Sequence, residues 1–438
     1  MTDPLLIALL GTLGMFALIA LHIPVGVAMA IAGFLGFGFL GGWKAAVSLF
    51  ASGPISVLSN MDLAVIPLFL LMGSFAGVSG LSSDIYRQAY SMVGHRRGGL
   101  ALATILGCAG FSAVSGSSVA TAATMGRVAL PEMLSRGYSA RLATGTIASG
   151  GTLGILIPPS LILVIYAFLT EQFVITLFVA AVIPALVVVT AHLITISITV
   201  WRDPNSGPSG DRATWAERLA VLKECWGAVA LFLCVFVSIY GGILTVNEAA
   251  ALGAGLSFAF TVARGKLSWA SLWQVVRETA TNTSLLYLIV IGASIFSTFI
   301  AASKAPQFMV MLISNMSLPP LAIVLALLVM YLILGSIFDS LAALVITLPF
   351  VMPLILGMGY HPVWWGIIMV IMIEIGLITP PIGVNVFVIY GIAEKVPMKT
   401  IFQGILPFFF AELISVGLLT VFPELVLWLP RVAGYNLK

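Results

Sequence analysis

Long apolar runs separated by short polar connectors extend along most of the chain. The hydrocarbon core of a bilayer is about 30 Å thick, and a helix of roughly 20 apolar residues can span it. Runs of this kind predict ten membrane crossings, at residues 5–22, 24–42, 62–82, 140–169, 173–200, 226–244, 247–263, 282–302, 362–394 and 401–429. The pattern therefore predicts an all-α polytopic membrane protein.

Two further apolar stretches, about 99–134 and 318–357, are too long for one crossing, and glycine, serine or other polar residues interrupt them near their middles. In the first stretch, about 15 residues precede the break at Ser115, and a helix of that length rises only about 22 Å. We therefore predict that both stretches enter the membrane and turn back as re-entrant helical hairpins. Their non-helical tips are tolerated at that depth only where they are buried in protein or line a wet cavity.

The composition excludes most classes of soluble protein. Hydrophobic residues make up 61% of the 438 residues and charged residues only 8%, against about 45–50% and about 25% in soluble domains. A soluble enzyme, a nucleic-acid-binding protein or a disordered scaffold is therefore excluded. The three cysteines lack the spacing of disulfide or zinc sites. No P-loop motif is present, so no cofactor is expected and the energy must come from an ion gradient or from another subunit.

The two halves of the chain share an ordered set of helix-breaking residues. Gly116 in the first interruption corresponds to Gly335 in the second, and the pattern Gly-x-x-x-Pro-Pro occurs at 154–159 and again at 376–381. Each Pro-Pro pair removes two backbone donors and disfavours helix at the preceding residue. Each half is therefore predicted to contain a broken helix as well as a hairpin.

Loop charges indicate the relative orientation of the two copies. The connector at 83–97 carries three arginines, whereas its equivalent at 302–316 carries only Lys304. Upstream the order is reversed, because 43–60 has one lysine and 262–279 has three basic residues. Lysine and arginine are enriched in cytoplasmic loops, so equivalent loops are predicted on opposite sides of the membrane. In such an inverted-topology repeat, substrate and coupling ions bind near the midplane, where the broken helices of the two halves meet.

The same signals divide the chain into segments. A polar stretch with four basic residues at 201–225 indicates a cytoplasmic linker and places both termini outside. The predicted segments are scaffold helices with an interfacial arm (1–61), a first transport repeat (62–200) with hairpin 99–134 and broken helix 140–169, the linker (201–225), further scaffold and arm (226–281), a second transport repeat (282–429) with hairpin 318–357 and broken helix 362–394, and a tail (430–438).

The breaks offer the oxygen ligands that hard cations take, because carbonyls before each Pro-Pro lose their intrahelical partners and polar side chains lie at the hairpin tips. One predicted ion shell comprises Ser115, Gly116, Ser117, Ser118, Gly154 and Ile157, and the other comprises Gly335, Ser336, Asp339, Gly376 and Thr379. Half-helix N-termini can face an anionic substrate, for which the candidate contacts are Ser117, Thr121, Pro158, Pro381 and Asn385. The alternative is that the prolines and small residues only permit close helix packing.

Asp339 and Glu374 are isolated charges within apolar runs. An ionisable residue inside a membrane is costly and is by default a functional hypothesis. Asp339 lies next to a predicted tip, which favours ion binding or proton handling over a structural hydrogen bond, whereas Glu374 is equally compatible with bracing the broken helix. His192 is alone in a predicted helix, and the histidines form no catalytic or metal-binding set. No group of residues supports an intramembrane enzyme.

Four motifs, in this order, resemble those of the large membrane subunit of tripartite ATP-independent periplasmic (TRAP) transporters: Ser115-Gly-Ser-Ser-Val-Ala-Thr, Gly154-Ile-Leu-Ile-Pro-Pro, Gly335-Ser-Ile-Phe-Asp and Gly376-Leu-Ile-Thr-Pro-Pro-Ile-Gly-Val-Asn. The resemblance runs essentially end to end. It implies a bacterial or archaeal inner-membrane importer that couples sodium to uptake of an organic acid such as a C4-dicarboxylate, sialic acid or a keto acid. It also implies that the hairpins and broken helices move as an elevator.

The same resemblance implies two protein partners, a periplasmic substrate-binding protein and a small four-helix membrane subunit. The small subunit is expected as a separate chain, because no such stretch precedes Met1. The main alternative is a stand-alone sodium- or proton-coupled anion symporter of the same superfamily, which needs no binding protein. An anion channel is less compatible with two closed ion shells, which suit stoichiometric coupling and predict at least two sodium ions per cycle.

Overall fold

The computed structural model describes residues 3–316, 318–435 and 437, and these residues form helices and no strands. The helices of the first half are α1 (Pro4–Ala20), α2 (Val25–Gly41), α3 (Trp43–Leu58), α4 (Val65–Ser79), α5 (Leu81–Val93), α6 (Gly99–Ser115), α7 (Ser118–Ser135), α8 (Ala140–Leu156), α9 (Leu161–Leu169) and α10 (Val174–Arg202). Those of the second half are α11 (Trp215–Glu224), α12 (Trp226–Tyr240), α13 (Val246–Ala263), α14 (Trp269–Ala302), α15 (Ala305–Asn315), α16 (Pro320–Ile337), α17 (Ser340–Gly357), α18 (Pro362–Gly376), α19 (Val384–Ile392), α20 (Met398–Val421) and α21 (Glu424–Val432). The predicted all-α class is confirmed.

The two halves repeat one order of elements. A helix, a shorter helix, a two-helix hairpin, a broken helix and a long helix succeed one another in α4–α10 and again in α14–α20. The hairpins are α6–α7 and α16–α17, and the broken helices are α8–α9 and α18–α19. Both pairs begin and end within a few residues of the predicted positions, so the repeat of hairpins and broken helices is confirmed.

Local sequence signals set many of the helix ends. The Ser139 side chain accepts a hydrogen bond from the Leu142 amide at 3.2 Å and so caps α8. Thr245 and Glu248 form a capping box at the start of α13. Proline occupies the first turn of α16 and of α18, where a helix has no use for the missing N–H. These signals depend only on neighbouring residues, which is why the sequence locates the ends well.

The number of helices that are long and apolar enough to cross a membrane differs from the ten predicted crossings. Among the described residues, eight helical segments are long and apolar enough to cross a membrane, or nine if α11 and α12, bent by 64°, form one span. The predicted crossings 5–22 and 24–42 are helices of 17 residues, which rise about 26 Å. The eight segments also include both arms of the second hairpin, α16 and α17. Length and apolarity therefore do not by themselves distinguish a re-entrant arm from a crossing.

The second interfacial arm is continuous with the crossing after it. The apolar pattern separates 262–279 from 282–302, but α14 is one helix of 34 residues. Polar residues such as the exposed Arg277 interrupt the apolar run without interrupting the helix, because a surface helix tolerates them on its outer face. In the first half a 3₁₀ turn at Met61–Ala64 separates the equivalent elements α3 and α4.

Close contacts at glycine join helices of the two halves. A Cβ atom on Gly26 of α2 would collide with the Leu288 backbone of α14, and one on Gly404 of α20 would collide with the Arg141 carbonyl of α8. Small residues permit this approach of two backbones inside a membrane. Helix α4 of the first half likewise packs on α13 of the second. The halves are therefore interlocked along several helices.

Candidate functional site

The first broken helix places a run of main-chain oxygens beside the first hairpin. Between α8 and α9 lies a cis Pro158–Pro159 peptide bond. The two prolines have no N–H to donate, and the carbonyls of residues 154–157 accept none of the described backbone hydrogen bonds. Four carbonyl oxygens at this break therefore lack a described backbone donor.

The tip of the first hairpin contacts this break directly. Gly116 ends α6 with a φ of +60°, and a Cβ atom there would lie 2.9 Å from the Pro159 carbonyl oxygen. Ser117 caps α7, and its hydroxyl accepts a hydrogen bond from the Ala120 amide at 3.3 Å. A Cβ atom on Gly154 would collide with the Ser117 backbone. The structure therefore brings together Gly116, Ser117 and Gly154 of the first predicted shell.

The second broken helix satisfies more of its own carbonyls. It also contains a cis peptide bond, Pro380–Pro381. The Gly376 carbonyl accepts a hydrogen bond from the Thr379 amide at 2.9 Å, and the Leu377 carbonyl accepts one from the Asn385 amide at 3.1 Å. Amides from outside the regular helix ladder therefore replace the lost intrahelical donors of these two carbonyls, because the chain turns back on itself before α19.

Main-chain hydrogen bonds hold the second hairpin tip to its break. The Ile382 and Gly383 amides donate to the Ser336 carbonyl at 3.2 and 3.4 Å. A Cβ atom on Gly376 would lie 2.6 Å from Gly335 Cα, so α18 and α16 touch at this point. The structure therefore brings together Gly335, Ser336 and Gly376 of the second predicted shell.

Asp339 lies at the second tip but is exposed. One carboxylate oxygen, Oδ1, accepts a hydrogen bond from the Ala342 amide at 2.7 Å and so caps α17. The cap uses one of two oxygens, which leaves the other available to a ligand. The Thr379 hydroxyl donates to the Ile375 carbonyl at 2.6 Å and keeps its lone pairs as an acceptor.

One side-chain hydrogen bond joins the two halves at the level of the tips. Asn385 Nδ2 on α19 donates to Ser118 Oγ on α7 at 2.8 Å, and both residues are buried. Within the second half, Ser340 Oγ on α17 donates to Glu374 Oε1 on α18 at 2.9 Å. The first tip and the second break therefore meet, and the candidate residues of both halves converge on one region.

The remaining predicted residues differ in accessibility. The Ser115 and Thr121 hydroxyls bond to each other at 2.8 Å and are buried, and Pro158 is also buried. Ser117 and Ile157 are partly exposed, and Pro381 is exposed. Only this second group can meet a ligand without a rearrangement of the site.

A third group of buried polar side chains lies between α8, α10 and α20. His192 Nε2 lies 2.8 Å from Glu412 Oε1, and Thr152 Oγ1 lies 2.8 Å from the same oxygen. The sequence pattern gives His192 no partner, and Glu412 is not among the residues predicted from it. A signal is nevertheless present, because Glu412 is the single charged residue in 400–423 and the criterion that selects Asp339 applies to it equally.

Comparison with known proteins identifies similar chains. Residues 12–425 match the family described as "Tripartite ATP-independent periplasmic transporter, DctM component". The chain is 33% identical over 378 residues to the C4-dicarboxylate TRAP transporter large permease protein DctM of Pseudomonas aeruginosa, which covers 86% of this chain and 88% of that protein. It is 30% identical over 382 residues to the sialic acid TRAP transporter large permease protein SiaM of Vibrio cholerae, with the same coverage of 86% and 88%.

A solved structure shows a similar fold. The YdaH transporter of Alcanivorax borkumensis, whose structure is described as revealing an unusual topology, aligns with a TM-score of 0.64 over 98% of this chain and 99% of that one. At 14% sequence identity the likeness concerns the fold alone.

Proposed function

Because the chain belongs to the DctM-component family of tripartite ATP-independent periplasmic transporters, we propose that it imports a small organic acid with sodium as the coupling ion. The family makes it a multi-pass membrane permease and not an enzyme. The observation that carries the proposal is the Asn385–Ser118 hydrogen bond, which joins the second broken helix to the first hairpin tip. Convergence of two breaks is the arrangement in which inverted-repeat transporters bind substrate and ions.

The donor atoms at the breaks favour a hard cation such as sodium. At the first break, main-chain oxygens without described backbone donors lie beside the Ser117 backbone, and carbonyl, hydroxyl and carboxylate oxygens are what hard cations take. At the second break, Asp339 adds a carboxylate oxygen. One sodium site comprises Ser115, Gly116, Ser117, Ser118, Gly154 and Ile157, and the other comprises Gly335, Ser336, Asp339, Gly376 and Thr379.

The substrate class is inferred from the relatives and from the polarity of the site. The relatives named above are permeases for a C4-dicarboxylate and for sialic acid, and both are organic acids. Helix N-termini carry partial positive charge, and the partly exposed Ser117 caps the N-terminus of α7. The acid contacts the accessible Ser117 and Pro381, and the buried Thr121, Pro158 and Asn385 are the remaining candidate contacts.

The partners are a periplasmic substrate-binding protein and a small four-helix membrane subunit, in a bacterial inner membrane. The moving unit lies within the predicted repeats 62–200 and 282–429. It comprises the hairpins and broken helices, α6–α9 and α16–α19, which act as an elevator. Helices α2, α4, α13 and α14 remain as scaffold, because α2 packs against α14 and α4 against α13 across the repeats.

The test is uptake into proteoliposomes that contain this chain together with its small membrane subunit and its substrate-binding protein. Labelled succinate and sialic acid are the probes, and an inward sodium gradient is compared with an equal potassium gradient. We expect one of the two acids to accumulate only with sodium and only with the binding protein. Equal uptake in potassium would eliminate sodium coupling, and full-rate uptake by this chain alone would support the stand-alone symporter.

A further inference from the structure

A groove of about 420 Å³ lies at the surface between α6 and α10, away from the hairpin tips and the breaks. Apolar side chains form most of its walls, among them Leu106 of α6 and Leu193 and Ile198 of α10. Among the described residues that line it, Arg96 alone is charged. Ligand sites in proteins have volumes of about 300–1,000 Å³ and combine apolar walls with a few polar groups. The groove therefore has the size and the lining of a ligand site.

The groove is as long as one leaflet of a bilayer is thick. On α10 its lining extends from Thr190 to Trp201, a distance of about 17 Å along the helix axis. Half of a hydrocarbon core of about 30 Å is about 15 Å. Trp201 is 80% exposed and lies at the end of α10, and tryptophan is enriched at the membrane–water interface. The groove thus extends from the interface towards the middle of the bilayer, as an acyl chain does.

A main-chain contact holds Arg96 at the interfacial end of the groove. Arg96 lies in the connector between α5 and α6. Two residues later, the Gly98 amide donates to the Gly207 carbonyl of the polar linker at 2.8 Å. A Cβ atom on Gly98 would lie 2.9 Å from Val200 Cγ2 of α10. The connector therefore lies beside the last turn of α10, which brings Arg96 to the end of the groove that Trp201 marks.

The charge at this end is positive and is not neutralised by described residues. Arg96, its neighbour Arg97 and Arg202 at the end of α10 are exposed, and none of the three makes a described side-chain hydrogen bond or ion pair. One acidic residue, Asp203, follows α10, which leaves an excess of positive charge. Basic pockets between transmembrane helices on the cytoplasmic side bind anionic lipid headgroups. An anionic headgroup therefore complements this end of the groove.

The walls suit a flexible chain better than a helix of another protein. Helices approach closely inside a membrane at small residues, and this protein uses glycine for that purpose where Gly292 of α14 lies against Gly26 of α2. Neither glycine nor alanine is among the described residues that line the groove. The Ser197 hydroxyl donates to the Leu193 carbonyl of its own helix at 2.8 Å, so its proton is not available to a partner helix. An acyl chain needs no such donor and adapts to bulky walls.

We propose that this groove is a binding site for an anionic phospholipid. The headgroup phosphate lies at Arg96 beside Trp201, because an arginine forms charge-assisted hydrogen bonds to phosphate oxygens. One acyl chain lies between α6 and α10 against the apolar walls. The site is separate from the hairpin tips and the breaks, and its occupancy does not depend on sodium or on the transported acid.

The test is quenching of Trp201 fluorescence in the full chain, reconstituted without sodium or substrate into nanodiscs of phosphatidylcholine. Brominated phosphatidylglycerol in one series, and brominated phosphatidylcholine in the other, replaces part of this lipid. Because the chain has nine tryptophans, the Trp201 signal is the difference between each protein and its Trp201→Phe counterpart. One arginine near an anionic headgroup changes binding by about fivefold. We expect half-maximal quenching at an about fivefold lower fraction of phosphatidylglycerol than of phosphatidylcholine.

Two variants and a matched control locate the site. Arg96→Gln should remove the preference for phosphatidylglycerol, whereas Arg212→Gln, which changes an exposed arginine of the linker, should retain it. Ser197→Phe fills the groove one helical turn before Trp201 and should remove the preference although Arg96 is unchanged. The three substituted residues are exposed, so the substitutions leave the core intact.

Equal quenching by the two lipids in the wild type would overturn the proposal, and so would a preference that survives Arg96→Gln. Loss of the preference on addition of inorganic phosphate would assign Arg96 to a free anion. Loss of Trp201 quenching when the small membrane subunit is reconstituted with the chain would assign the groove to a protein helix. Either assignment also contradicts the proposal. Because no transport is measured, failure here is distinct from failure of the proposed function.

Discussion

The two broken helices share one sequence pattern but present different chemistry. At the first break the prolines are buried and the carbonyls of 154–157 accept no described backbone hydrogen bond. At the second, Pro381 is exposed and the carbonyls of Gly376 and Leu377 are already bonded. The first break therefore leaves its main-chain oxygens without a described donor, whereas the second satisfies part of its own.

The difference arises from the residues immediately after the prolines. In the first half Ser160 caps α9 at once, with its side chain accepting the Leu163 amide at 3.4 Å. In the second half Ile382 and Gly383, the latter with a φ of +66°, add a turn before α19 begins. The motif thus determines where each helix breaks, and the residues beyond it determine whether the freed carbonyls stay free. Residues at equivalent positions in the repeat therefore need not have the same function.

The largest effect is expected where each tip touches its break. Gly154→Val and Gly376→Val each place side-chain atoms against a backbone that cannot move aside, and overpacking of this kind costs about 1–3 kcal/mol. We expect both to reduce uptake by more than about tenfold. Gly417→Val is the control, because nothing lies within 4 Å of a Cβ atom there. Near-normal uptake by one of the pair would show that only one break must close on its tip.

A smaller effect is expected at the link between the halves. Asn385→Ala removes the donor to the buried Ser118, which costs about 1–3 kcal/mol when a buried partner is left unsatisfied. Ser118→Ala should lower the free energy of unfolding less in the Asn385→Ala background than in the wild type, because the two residues form one hydrogen bond. Thermal unfolding of the four proteins measures this coupling. Strictly additive effects would show that the bond contributes nothing to the joining of the halves.

The two tips should also differ in their response to sodium. Asp339→Asn keeps a side-chain cap for α17 but removes the full negative charge, which is worth more to a cation than a neutral hydroxyl. We expect it to raise the sodium concentration for half-maximal uptake by about threefold or more, and by more than Ser336→Ala does. Initial rates against sodium at two pH values are the measurement. An unchanged sodium dependence would limit Asp339 to its capping role.

The smallest effect concerns the caps of α8 and α18. Ser139 caps α8, whereas His361 caps α18 with Nδ1 accepting the Val363 amide at 3.1 Å. Burial, with a smaller contribution from Arg431, lowers the pKa of His361 below its usual value of 6.5. The contribution of the neutral His361 cap to the free energy of unfolding is therefore complete above about pH 6.5. It declines as the pH falls, because His361 takes up a proton at a higher pH in the unfolded chain than in the folded one.

His361→Ser is the matched variant, since it gives α18 the type of cap that α8 has. We expect the wild type to lose more thermal stability than the variant between pH 7.5 and about 5.5, by less than about 1 kcal/mol. Melting temperatures of both proteins across this range are the measurement. Parallel curves would mean that the cap does not titrate.

The sequence predicts those features that are encoded locally. Polar residues that interrupt apolar runs predict hairpins at 99–134 and 318–357, and α6–α7 and α16–α17 occupy nearly the same residues. The broken helices are predicted from Gly-x-x-x-Pro-Pro for the same reason. The continuity of α14 is not predicted, because a helix can continue through polar residues where an apolar run cannot.

Contacts between distant segments are not encoded by a local pattern in a single sequence. Asn385 and Ser118 are 267 residues apart, and His192 and Glu412 are 220 residues apart. Hydropathy marks each of these residues at most as an isolated polar group and does not name its partner. The partner depends on how α8, α10, α19 and α20 pack, and that packing depends on close glycine contacts such as Gly145 against Gly404.

The unbroken α14 makes the second half of the protein more sensitive to bilayer thickness than the first half. Its 34 residues extend about 51 Å, well beyond a hydrocarbon core of about 30 Å. A thinner bilayer is accommodated by tilt, and tilt of a continuous helix reaches Gly292, where α14 lies against Gly26 of α2. In the first half the 3₁₀ turn between α3 and α4 can absorb the same change. Lipid composition therefore acts unequally on the two halves of a repeated fold.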